Sequence, residues 1–182
     1  SSLRGRLCPR QPFFAPVFVN GRRLRVGGDA DGRPGPFGIR AEFLRVEDER
    51  IEQGLRGETL PPLRSDGWYV TGTWAVAGRR AMKHAQASRL FAGFNGIELA
   101  TRIERLAFGS IAENEPALRN PRAARSARID EQAWTFGVNW FTSKWTRVTL
   151  NGIREEFIDG VETPVNGETV FWAAVTRLQF VF

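Results

Sequence analysis

The sequence predicts an all-β protein, an antiparallel transmembrane β-barrel to which these 182 residues contribute about seven strands. Three observations predict it. Segments of about ten residues alternate polar with apolar side chains, the period of a strand whose two faces meet unlike surroundings. The connections between segments alternate long and short. The last segment, Thr169 to Phe182, reads TVFWAAVTRLQFVF. There Val170, Trp172, Ala174, Thr176, Leu178, Phe180 and Phe182 share one parity, against Ala173, Val175, Arg177 and Gln179. A phenylalanine ending a clean alternating strand is what a membrane barrel uses to close and to be recognised for assembly. Phe180 and Phe182 are therefore expected to carry that signal.

Residues 1–18 are rich in proline and arginine, lack periodicity and read as a loop remnant. Asn20–Ala30 alternates Leu24, Val26, Gly28 and Ala30 with Arg23, Arg25, Gly27 and Asp29. DGRPGP then turns the chain, because glycine supplies positive φ and proline interrupts a ladder. Phe37–Val46 completes a hairpin, with Phe37, Ile39, Ala41 and Phe43 against Gly38, Arg40, Glu42 and Leu44. The charged, proline-containing 47–65 reads as a long loop. Gly67–Gly78 sets Trp68, Val70, Gly72, Trp74 and Val76 against Tyr69, Thr71, Thr73, Ala75 and Ala77. Residues 79–95 are basic and irregular. Gly96–Phe108 places Ile97, Leu99, Thr101 and Ile103 opposite Glu98, Ala100, Arg102 and Glu104, an alternation that fits better than a helical period. A second long polar loop covers 110–131. Gln132–Thr142 alternates Trp134, Phe136, Val138 and Trp140 with Thr135, Gly137 and Asn139. After the short SKW connection, Thr146–Phe157 sets Val148 and Leu150 against Arg147, Thr149 and Asn151. The phase slips at Asn151-Gly152, where a bulge is expected. Residues 158–168 form the last loop.

Composition excludes several classes of function. Cys8 is the one cysteine and His84 the one histidine, so an internal disulfide is impossible and a zinc site lacks ligands. Glu155 and Glu156 are adjacent and would point to opposite faces of a strand, a poor acid/base pair. No Ser/His/Asp grouping or phosphate-cradling glycine loop is apparent, so neither an enzyme nor a cofactor is expected. Net charge is +6, and because only Lys83 and Lys144 are lysines, 24 of the 26 basic residues are arginine. They are scattered, without the dense run that nucleic-acid binding favours. No run of apolar residues is long enough for a membrane helix, which a barrel does not need. SSLRGRLCPR is not a signal peptide, so the chain reads as part of a longer one.

In a barrel the polar parity faces the lumen. It carries Arg23, Arg25, Arg40, Arg102, Arg147 and Arg177, the candidate anion contacts, together with Asp29, Glu42, Glu98 and Glu104. Arginine's fixed fork of donors matches phosphate oxygens, and rings of basic residues favour anions. The other parity carries Trp68, Trp134, Trp140 and Trp172, a candidate aromatic girdle at the lipid interfaces. Arg45 and Arg105 also fall on that parity, near predicted strand ends, where they can snorkel. The competing reading is a soluble β-barrel or sandwich that binds an anionic ligand. The two are told apart by whether the apolar parity packs into an interior or belts the outside.

With the C-terminus taken as periplasmic, 47–65, 110–131 and 158–168 become extracellular loops. Connections 31–36, 79–95 and 143–145 become periplasmic turns, of which 79–95 is longer than expected. The first strand then runs downward, so the chain reads as the C-terminal portion of a larger barrel. Several segments carry a family likeness: GPFGIRAEFLRV, DGWYVTGTWAVAG, IELATRIERLAFGS, WTFGVNWFTSKWTRVTLN and the ending RLQFVF. In their order and spacing they resemble the phosphate-selective porin O and P family. The resemblance implies a bacterial outer-membrane barrel of about sixteen strands, commonly a homotrimer, passing phosphate or polyphosphate. It implies outer-membrane lipid, the barrel assembly machinery and small anions as partners, and no nucleic acid. Members that bind anions use many lysines as well as arginines, whereas Lys83 and Lys144 here fall in connections.

Overall fold

Alternation of apolar with polar residues favours strands over helices in the alternating segments above. The computed structural model describes residues 17–78, 96–110, 115–123, 128–143, 145–159 and 168–180. Its strands are β1 (Arg23–Gly32), β2 (Phe37–Arg50), β3 (Leu60–Gly78), β4 (Gly96–Ser110), β5 (Ile129–Phe141), β6 (Thr146–Asp159) and β7 (Val170–Phe180). Each pairs antiparallel with the next, giving one seven-stranded sheet in the order β1 to β7. The β1–β2 turn closes through Phe37 N–H donating to the Pro34 carbonyl at 3.2 Å. Gly35 takes a positive φ of 64° there, which proline-flanked glycine tolerates.

Residues directly opposite in adjacent strands share a face. One cross-strand row runs Asp31, Arg40, Thr71, Arg102, Thr135, Ile153, Ala173. A cavity of about 900 Å³ on this face is lined from β1 through β6 and the turns between them, so the sheet curls around it. This is the inner face. The row three residues along, of opposite parity, runs Phe37, Trp74, Leu99, Val138, Leu150, Thr176 on the outer face. Those outer side chains are exposed: Trp74 47%, Phe136 58%, Leu150 51%, Leu178 58% and Trp172 73%. Among the described residues no second layer covers them. An apolar face of this extent left bare among the described residues is what the lipid-facing side of a membrane wall presents, and a packed sandwich would have covered it.

The structure corrects the sequence reading in three places. The long loop expected at 47–65 shrinks to 51–59, because Glu47 and Asp48 pair with Arg64 and Leu63. Pro61 and Pro62, which argued for a loop, are accommodated where the register shifts between Asp48 and Arg50. A residue without an N–H is tolerated at such a bulge. The loop expected at 110–131 likewise shortens to 111–128. The bulge expected at Asn151-Gly152 does not form, since both registers of β6 run through it unbroken. Asn151 instead faces Gly137 across the β5–β6 pair. A Cβ on Gly137 would come within 2.5 Å of the Asn151 Oδ1, so the glycine makes room for the amide and no slip is needed. The shifts lie at Asp48/Arg50, Ala75/Ala77 and Asp130/Glu131.

Two turns at one end of the sheet are short, 33–36 and 142–145. The opposite end carries 51–59, 111–128 and 160–169. Connection 79–95, with Lys83 and His84, lies outside the described residues, as do Cys8, Lys144 and Phe182.

Candidate functional site: the inner face

The pleat sends every second side chain of each strand inward, so the register alone decides which charges meet. All six arginines singled out in the sequence, Arg23, Arg25, Arg40, Arg102, Arg147 and Arg177, fall on the inner face. Arg40 and Arg102 flank Thr71 on one row, and Arg147 lines the same cavity nearer the short-turn end. Arg177 sits opposite Thr149 on β7. Arg23 and Arg25 lie toward the long-loop end of β1, away from that cavity.

Their partners differ. The Arg102 guanidinium lies 3.8 Å over the Tyr69 ring, and its Nε donates to the Glu104 carboxylate at 2.8 Å. It is thus held in one orientation. Arg147 donates to the Gln179 amide oxygen, and Arg23 is paired with Asp48. Among the described residues Arg25, Arg40 and Arg177 form no ion pair. A chain of donors and acceptors that ends on the Glu98 carboxylate joins β4, β5 and β6 beside them. Thr149 Oγ1 donates to Asn139 Oδ1 at 2.8 Å, and Asn139 Nδ2 donates to Glu98 at 3.1 Å.

The sequence reading missed half of the inner carboxylates. Asp29, Glu42, Glu98 and Glu104 are joined on this face by Asp31, Asp48, Glu131 and Glu155. It also missed Arg50. On the described strands the count becomes seven cations against eight anions, so the small cationic excess expected from the sequence disappears there. What remains is a spatial sorting. Glu42, Glu104 and Glu155 share the row next to the Arg40–Arg102 row on its long-loop side, with Glu131 one step further. The signal was available: carrying the phase of Arg147 straight through Asn151-Gly152 places Glu155 inside, and extending Arg40 and Glu42 places Asp48 there.

On the outer face lie Trp68, Trp134, Trp140 and Trp172, joined by Trp74. Trp134 and Trp172 flank Arg154 on one row, at the long-loop edge of the apolar band. Trp74, stacked on Phe37 at 6.1 Å, lies toward the other edge with Trp140 and Phe180. At and beyond the first edge the outer face turns charged and paired: Arg45 with Asp66, Arg64 with Glu47 at 3.3 Å, Arg105 with Asp130, and Arg154 with Glu156 at 2.8 Å. Arg45 and Arg105 are therefore neutralised in place.

A family model for phosphate-selective porin O and P matches residues 10–182. No curated protein and no solved structure matches the chain.

Proposed function

Because the chain belongs to the phosphate-selective porin O and P family, we propose that its sheet is the wall of a water-filled outer-membrane channel through which small anions such as phosphate diffuse passively. The family is one of channels, not enzymes. The observation that carries the reading is the sheet's two-sidedness: charged and cavity-forming within, apolar and bare without. Arg40, Arg102, Arg147 and Arg177 are the anion contacts we assign to the conducting path. A guanidinium's planar fork of donors matches the oxygens of a phosphate. The path's anion preference is then local, set by this cationic belt and opposed by the carboxylate row beside it. The long loops face outward, the C-terminus lies in the periplasm, and Phe180 with Phe182 marks the chain for the assembly machinery. The four tryptophans together with Trp74 anchor the wall at the two lipid interfaces. The homotrimer implied by the family likeness is part of the same reading.

Changing Arg102, Arg147 and Arg177 to glutamate alters lumen charge by about −6, from full side-chain charges at neutral pH. In planar bilayers under a KCl gradient, the reversal potential of the full-length porin is expected to move toward cation preference, most at low salt, where screening is weakest. The same reversal at Arg22, which is exposed and precedes β1, is expected to shift it far less. An unmoved reversal potential in the triple variant would remove these residues from the path.

A further inference from the structure

A single open sheet exposes both faces, yet Arg50, Leu60 and Leu63 are only 2%, 2% and 3% exposed. All three lie on the inner side at the long-loop end: Leu63 faces Asp48 and Ser110, and Arg50 faces Leu60. Something must cover them there. The cover is residues 115–123, with Val17 and Phe18 beside them. Leu118, Asn120 and Ala123 close around Arg50 and Leu60. The segment is tied to loop 51–59 by main-chain bonds, Leu55 N–H to the Ala117 carbonyl and Arg119 N–H to the Gln53 carbonyl, both 2.8 Å. Arg50 completes the tie. Its guanidinium grips the Glu115 carboxylate with two nitrogens, donates to the Pro61 carbonyl at 2.7 Å, and reaches Ser110 Oγ at 3.3 Å. The Glu115 side chain is itself only 5% exposed. One side chain thus fastens β2, β3, β4 and the loop segment together, away from water.

We propose that residues 115–123 are a latch folded inward over the channel mouth and held shut by the buried Arg50–Glu115 pair, so that the pair sets how wide the mouth stands. Removing one partner of a buried ion pair strands the other charge, so the closed state is the one destabilised. The proposal rests on the channel reading for its effect on current, but not for its structural claim. The tests are Glu115→Gln and the milder Leu118→Gln in the full-length porin, with folding checked by heat-modifiable migration on gels. Limited trypsin digestion at Arg119 and Arg122 reads the latch directly, because cleavage needs the segment to leave its seat. Cleavage at least about tenfold faster is expected in Glu115→Gln and a smaller rise in Leu118→Gln. Single-channel conductance in KCl is expected to rise by about 1.5-fold. Folded variants cut no faster than wild type would overturn the latch. Faster cutting with unchanged conductance would overturn its place over the mouth. A wild type that carries no current would sink the channel reading, while the cleavage comparison would still decide whether the pair holds the segment.

Discussion

Two glycines show how single residues set what this wall tolerates. Gly96 begins β4 beside the register shift at Ala75/Ala77, with φ at 155°, and a Cβ there would come within 3.1 Å of the Ala77 carbonyl oxygen. Gly28 sits mid-β1 on the outer parity, and a Cβ there would meet nothing within 4 Å. The two should respond oppositely to alanine. Gly96→Ala forces a conformation that side-chain-bearing residues rarely adopt and is expected to cost about 1–3 kcal/mol. Gly28→Ala restricts only the unfolded chain and is expected to be neutral or to stabilise by up to about 1 kcal/mol. Urea unfolding of the porin in lipid vesicles measures both. Equal midpoints for the two variants would contradict the strain assigned to Gly96.

At the scale of the strand, side-chain parity decides everything, and parity was the part of the fold most legible in the sequence. Every arginine assigned to the polar parity lies on one face, because alternation on their strands fits better than any competing period. Strand ends were less legible. Charge and proline argued for a loop at 47–65, yet a strand that has left the apolar band can carry both, and its ladder bonds continue past the last apolar side chain. The slip expected at Asn151-Gly152 came from treating the dipeptide as punctuation. Its partner Gly137 lies on a different strand, so local sequence could not reveal that the amide had somewhere to go. The Arg50–Glu115 pair was invisible for the same reason, being a contact across 65 positions. Parity also gives a sharp test on β6. Leu150 faces outward, 51% exposed in the middle of the apolar stretch, and its neighbour Thr149 faces inward against Asn139 and Arg177. Leu150→Arg places a charge in hydrocarbon and is expected to cost about 2–4 kcal/mol, whereas Thr149→Arg faces water. Folded fractions after refolding into vesicles distinguish them. A Thr149→Arg variant as impaired as Leu150→Arg would invert the assigned faces.

At the scale of the whole molecule, the sheet order leaves one edge of β1 and one edge of β7 without a partner among the described residues. Main-chain groups on such edges are satisfied by water in a soluble protein. In hydrocarbon no water reaches them, and each unsatisfied group costs several kcal/mol, which is why membrane strands close into barrels. β1 is ten residues long and β7 eleven. Even with half of each edge pointing outward from the sheet, the summed cost of two bare edges far exceeds the stability of a typical domain, about 5–15 kcal/mol. The bare outer face adds to the problem, because it needs lipid while the edges forbid it. We therefore expect that residues 1–182 produced alone do not insert as a monomeric pore. They should aggregate or remain unfolded in detergent until further strands, from another segment or from another copy, pair with β1 and β7. Size-exclusion chromatography in detergent, heat-modifiable migration and bilayer conductance together check this. A monodisperse, conducting monomer would show that β1 and β7 can close on each other around a lumen narrower than the present curvature implies. A conducting species whose cross-linked mass is twice that of the chain would instead show two sheets meeting edge to edge, which satisfies the same hydrogen-bonding demand by self-association.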